Sequence, residues 1–232
     1  MTEQEQALFP PAELPEPAPA PAPRKAKAAR ARPGERREQI LQALAHMLEQ
    51  PGAERITTAA LARRLQVSEA ALYRHFASKA QMYEALIDFI ESSIFTLVRQ
   101  ITEQGLSDAE AGGADAEDAG RRSAARIVAM VLQFAERNPG MASVMAGDAL
   151  VLEHERLRQR MALLMDKIEA QLRQCLRPLL PQDDGSDADA IAAPARASVL
   201  VALIQGRLQQ FVRSGFRRRP TEHLQVSLQL VL

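Results

Sequence analysis

The chain has no tryptophan and one cysteine, and its aromatic residues are seven phenylalanines and two tyrosines among 232 residues. With Cys175 alone, no intrachain disulfide can form, which suits a reducing cytoplasm. No apolar run approaches the ~18–20 residues of a membrane span. The start lacks the charged-then-apolar pattern of a secretory signal and is broken by prolines. Sustained alternation of β-branched residues, the mark of strands, is missing. Lys and Arg number 29 and Asp and Glu number 29, so no global field draws the chain toward a polyanion.

Catalytic chemistry finds little footing. His46, His75, His154 and His223 lie far apart and share no metal-ligand spacing with each other or with Cys175. Gly112-Gly113 stands among acidic residues, the wrong sign for a phosphate-binding loop. Asp183-Asp184 and Asp187 with Asp189 read as solvated loop charges, with weak cation binding left open. The expectation is a protein that is not an enzyme, with no cofactor and no metal.

What is present favours helices. Hydrophobic residues make up 47% and charged residues 25%, and Leu, Ala, Met, Arg, Gln and Glu are good helix formers. Eight of the fourteen prolines fall in residues 1–33, so residues 1–34 read as a disordered tail with polyproline II character. Residues 1–23 carry Glu3, Glu5, Glu13 and Glu16 and no base. Residues 24–37 carry Arg24, Lys25, Lys27, Arg30, Arg32, Arg36 and Arg37 against Glu35 alone. Such an arm adds phosphate contacts or merely solubilises, and both readings stand.

Apolar spacing then orders the folded part. A first helix carries Ile40, Leu41, Leu44, Met47 and Leu48 and stops before Pro51-Gly52. A long helix from Ser78 to about Gln104 has Met82, Leu86, Phe89, Ile90, Phe95, Leu97, Val98 and Ile101 around its axis, so it is buried on several sides or links two domains. Residues 105–120 read as an acidic loop, 121–137 as a helix, and 143–146 as a short helix after Asn138-Pro139-Gly140. Leu150 to Leu180 reads as one amphipathic helix with a seam of Leu152, Leu157, Met161, Leu164, Ile168, Leu172 and Leu176. Residues 181–194 read as a second acidic loop, and 195–214 as a helix with Gly206 at its middle. A mid-helix glycine costs about 1 kcal/mol, usually offset by a close helix crossing. The last two long helices are therefore expected at a homodimer interface. Arg217-Arg218-Arg219 touches phosphate or acidic lipid, or neutralises a helix end in water.

The stretch from Thr57 to Lys79 carries the function. Leu61, Ala62 and Leu65 fall on one helix face, Leu72 and Phe76 on another, and Val67 sits between them. Thr58 and Ser68 are suited to N-caps, their side-chain oxygens accepting a free amide of the first turn, and Thr57 can also cap. Gln66 stands where the turn needs a left-handed backbone, at a cost on the order of 1 kcal/mol. The second helix offers Glu69, Tyr73, Arg74 and His75 outward, and Lys79 follows. This is a helix-turn-helix, which sets its second helix in the DNA major groove. Tyr73, His75 and Lys79 are expected on phosphates and Thr57 and Thr58 near the backbone. Ser68, Glu69 and Ala70, joined by Arg74, are expected near base edges.

The motif Ala70-Ala71-Leu72-Tyr73-Arg74-His75-Phe76 with Ser78-Lys79, in a three-helix head before a helical body, resembles the TetR family. Further blocks resemble its nucleoid occlusion branch: Arg55-Ile56-Thr57-Thr58-Ala59, Glu136-Arg137-Asn138-Pro139-Gly140, Ile168-Glu169-Ala170-Gln171-Leu172-Arg173-Gln174, and Arg213-Ser214 with Phe216 and Arg219-Pro220-Thr221. The resemblance implies an all-α fold. Residues 35–80 form the helix-turn-helix domain and 81–232 a helical bundle for dimerisation and partner binding. It implies a cytoplasmic, nucleoid-associated homodimer on palindromic double-stranded DNA. When bound, such proteins engage the tubulin-like division protein FtsZ and block Z-ring assembly. The matched partner surface is Phe89, Arg137 and Asn138, with Leu97, Met130 and Gln133 departing in type beside it. From the residues alone, Phe89 reads as core and Arg137-Asn138 as a helix end. The other reading of the same fold is a repressor released from DNA by a small molecule, whose body would hold a roomy apolar pocket. The long helices, rich in Arg, Gln and Glu and without an aromatic cluster, favour a filled body that needs no ligand.

Overall fold

The computed structural model describes residues 33–50, 56–110, 116–177 and 187–232. The expected tail therefore lies almost wholly outside the described residues. Pro33 already opens the first helix, α1 (Pro33–Leu48), where its fixed φ and missing N–H cost nothing.

Two short helices follow, α2 (Thr58–Arg64) and α3 (Glu69–Tyr73). At seven and five residues they are far below the length at which a helix stands alone in water. Tertiary packing supplies the difference. Ile40, Leu44 and Leu48 of α1, Leu61 and Ala62 of α2, and Leu72 with Phe76 form the head end of a core that continues into the body. The next helix, α4 (Lys79–Glu110), leaves this head and runs 32 residues into the body. Its buried side chains, from Met82 to Ile101, fit the expected linking helix.

The body contains α5 (Ala116–Arg137), α6 (Pro139–Met145), a single 3-10 turn at Asp148–Leu150, α7 (Glu155–Cys175), α8 (Asp187–Arg213) and α9 (Leu224–Gln229). α5 buries Ile127, Val128, Val131 and Leu132, α7 buries Leu157, Met161, Leu164, Ile168 and Leu172, and α8 buries Leu200, Ile204, Leu208 and Phe211. Gly140 joins body to head: a Cβ there would run into the backbone carbonyl of Ala45 in α1. Pro139-Gly140 therefore starts a helix and brings it close, besides ending α5.

Several boundaries differ from the sequence reading. The loop expected at 105–120 is helix up to Glu110 and again from Ala116. Gly105 does not break α4, because Ser123 of α5 packs where its side chain would be. The helix expected from Leu150 starts at Glu155, capped by His154, whose Nδ1 accepts the Arg156 amide at 3.2 Å. Leu152 accordingly lies outside the seam, 63% exposed. The loop expected through Pro194 is helix from Asp187, since the Ala-rich run before Pro194 has strong helix propensity. The crossing expected at Gly206 is absent among the described residues of the protomer, none of which lies within 4 Å of an added Cβ. α9 went unforeseen because six residues carry too short a period to read; Leu224 and Leu228 bury it.

Candidate nucleic-acid interface

Local rules build the reading unit. Thr57, not Thr58, caps α2: its Oγ accepts the Ala60 amide at 3.1 Å. Thr58 instead donates its hydroxyl to Glu69 Oε2 at 2.6 Å, tying the start of α2 to the start of α3. Ser68 caps α3 as expected, accepting from the Ala71 amide at 3.2 Å. Between the helices Gln66 has φ 55°, the left-handed backbone the turn required. The Gln66 amide bonds the Arg63 carbonyl at 3.1 Å and the Val67 amide that of Ala62 at 3.0 Å. This is the paired closure of a left-handed helix end, here with glutamine in the place glycine favours.

The outward face then follows from helical geometry. Leu72 and Phe76 are 1% and 2% exposed, so the residues beside them turn to solvent. Ser68, Glu69, Ala70, Tyr73 and Arg74 are exposed and His75 is half-buried. Tyr73, at 46% exposure, is a large aromatic with no share in the core. A phenolic hydroxyl held out in this way can donate to a phosphate oxygen. Arg37 also belongs to this neighbourhood. Its guanidinium stacks 4.3 Å over the Phe76 ring, and its Nη1 donates to the His75 carbonyl at 3.3 Å. That stacking fixes a cation beside the end of the recognition helix, leaving donors of its fork for another acceptor. In sequence it was one of seven bases in a run.

Lys79 stands differently. Its ammonium pairs with Glu153 Oε1 at 2.5 Å and lies 5.6 Å from the Tyr83 ring centroid. Nothing in sequence signalled Glu153, 74 residues away. Tyr83 is buried, and burial first, with the Glu153 carboxylate second, pushes its hydroxyl well above the ordinary tyrosine range.

The residues matched to the partner surface sit where α4 and α5 run antiparallel. The Arg126–Gln104 bond at 3.0 Å and the Gly105–Ser123 approach set a register that brings Phe89 level with the end of α5. Phe89 is 48% exposed and Leu97 38%, so the reading of Phe89 as core does not hold. Arg137 is exposed. Asn138 Nδ2 donates to the Phe134 carbonyl at 2.7 Å and so closes the end of α5, as the residues alone had suggested. Arg217, through its Nε, likewise donates to the Ser214 carbonyl at the end of α8. Two recesses on the body are open and charged. One of about 550 Å³ is lined by Arg207, Arg218, Arg219 and His223, and one of about 510 Å³ by Asp88, Glu91, Arg160 and Lys167.

Comparison with known proteins fits this geometry. Residues 40–86 match the family described as bacterial regulatory proteins, tetR family. Residues 122–232 match the SlmA-like tetracyclin repressor-like C-terminal domain. The nucleoid occlusion factor SlmA of Shewanella amazonensis is 47% identical over 189 residues, 81% of this chain and 88% of that protein. The factor of the same name from Idiomarina loihiensis is 44% identical over 84% of this chain and 93% of its own. The fatty acid degradation regulator FadR of Bacillus halodurans shares the fold at a TM-score of 0.60, with 16% identity, over 87% of this chain and 96% of that one. The chain therefore belongs to the SlmA nucleoid occlusion factors of the TetR family, which are DNA-binding regulators and not enzymes.

Proposed function

We propose that this nucleoid occlusion regulator binds palindromic chromosomal sites as a homodimer and, while bound, contacts FtsZ and so blocks Z-ring assembly over the nucleoid. In this reading residues 35–80 are the DNA-binding domain and residues 81–232 carry the dimer and partner contacts. Tyr73, His75 and Lys79 hold phosphates with Thr57 and Thr58 nearby, and Ser68, Glu69, Ala70 and Arg74 face base edges. Two capped heads related by a twofold axis fit half-sites about one helical turn apart. An apolar surface left outside the core supports the dimer: Val199 of α8, with Val226 and Leu230 at α9, is more than half exposed or close to it. Gly206 lies on α8 with open space before it, room for a second backbone to cross.

The observation that carries the partner contact is Phe89. α4 buries its other large apolar side chains from Met82 to Ile94, yet keeps this ring half in water, and Arg137 at the end of α5 is exposed as well. Aromatic and arginine side chains are enriched at protein-binding surfaces.

The test is binding to purified FtsZ with and without a duplex selected from a random pool. DNA-enhanced FtsZ binding is expected. The Arg137→Ala variant should keep its DNA affinity and lose FtsZ affinity. Tight DNA binding with no FtsZ contact would replace this reading with that of a repressor released by a small molecule.

A further inference from the structure

We propose that Glu153 holds Lys79 away from DNA in the free protein, and that duplex binding exchanges this carboxylate for a phosphate and so reports to the body that the head is occupied. The inference rests on the DNA reading above.

Among the described residues, five ion pairs join α4 to α7 and the turn just before it. Four have one polarity: Glu84, Asp88 and Glu91 of α4 meet Arg156, Arg160 and Lys167 of α7, with Arg160 reaching both Asp88 and Glu91. The fifth, at the head end, is reversed, with the base (Lys79) on α4 and the acid (Glu153) on the body. A polyanion at the head acts on the reversed pair in both senses: it draws the ammonium and repels the carboxylate. The acids of the other rungs lie five to twelve residues further along α4, about 7–18 Å along its axis, where the field of the polyanion weakens and, beyond about 8–10 Å, is largely screened by salt.

The pair is also sheltered. The Lys79 side chain is 25% exposed and that of Glu153 12%. Losing Lys79 would leave the Glu153 carboxylate desolvated against the buried Tyr83, with no counter-charge, which is costly. The carboxylate must then turn to water. Its backbone can follow, because the Glu153 amide is held by one bond, to the Leu150 carbonyl at 3.1 Å, and the preceding Val151 and Leu152 are 60% and 63% exposed. The turn leads straight into α7, which is bound through the other rungs to the helix bearing Phe89. Head occupancy and the partner-bearing helix are thus joined by one ion pair.

The test is a double-mutant cycle on duplex affinity in the full chain, with Glu153→Gln, Lys79→Gln and the two together. Glu153→Gln is expected to tighten binding about three- to tenfold and to steepen its salt dependence by up to about 0.9 per freed Lys79. In the Lys79→Gln background it should do nothing. Equal tightening in both backgrounds, or none in either, would overturn the inference. On the unmodified chain, hydrogen exchange at the Glu153 amide, now bonded to the Leu150 carbonyl, should speed up when the duplex binds. Unchanged protection there would overturn it too. A wild-type chain that binds no duplex would end the DNA reading itself.

Discussion

In the head, α2 and α3 span seven and five residues, and side chains complete what such helices cannot do for themselves. Thr57 and Ser68 cap them, Thr58 ties one to the other through Glu69, and Arg37 lies over Phe76 at the end. In the body, α4, α5, α7 and α8 span 21 to 32 residues and rest on long apolar seams, with a row of ion pairs along the α4–α7 flank. A helix of five residues that turns Tyr73 and Arg74 to solvent has few positions left for burial. The head therefore depends on a handful of specific contacts, whereas the body spreads its stability over many apolar ones.

That contrast can be broken at the head's centre. Phe76→Ala removes a ring that is 2% exposed and also the surface on which Arg37 stacks. It should cost about 3–5 kcal/mol, with thermal unfolding of the head preceding that of the body. A single transition at the original temperature would show that the head does not rest on this ring.

At the joint, Gly140→Ala forces a methyl into the Ala45 carbonyl, a backbone atom that cannot swing aside. The expected loss is roughly 1–3 kcal/mol in a denaturant titration, felt by head and body together. Loss confined to one of them would mean that α6 and α1 are not coupled as their contact suggests.

The strained turn sharpens the comparison from the other side. Gln66→Gly relieves a left-handed glutamine and should raise stability by about 1 kcal/mol, seen as a higher midpoint. A lower midpoint would mean that the glutamine side chain contributes more than its backbone costs.

The smallest effect belongs to the body's flank. Arg156→Ala removes the 2.8 Å pair with Glu84, whose side chains are 49% and 27% exposed. It should cost about 0.2–1 kcal/mol at low salt and nearly nothing at high salt. A large, salt-independent loss would place this pair among the packing contacts.

The sequence was most legible where chemistry is local. The caps, the turn at Gln66 and the outward face of α3 all depend on residues within four positions of one another, and all but the choice of Thr57 over Thr58 could be read. It was least legible in the body. There Ala-rich acidic stretches suit helix and loop alike, and the outcome at 105–120 turned on whether α5 came close enough to cover Gly105. Phe89 shows the same limit. Its spacing is that of a core residue, yet the folded body leaves it half in water.

By itself, then, the sequence determined an all-helical chain, the reading unit with its exposed polar face, and the blocks that mark its family. Each of these follows from helical period, capping chemistry or residue type, which act within a turn or two. Tertiary structure alone decided that Lys79 meets Glu153, that Gly140 lies against Ala45, and that α4 has a charged flank toward α7. Those facts join residues roughly 70 to 95 positions apart. No local preference encodes such meetings; they exist only once the long helices have found each other.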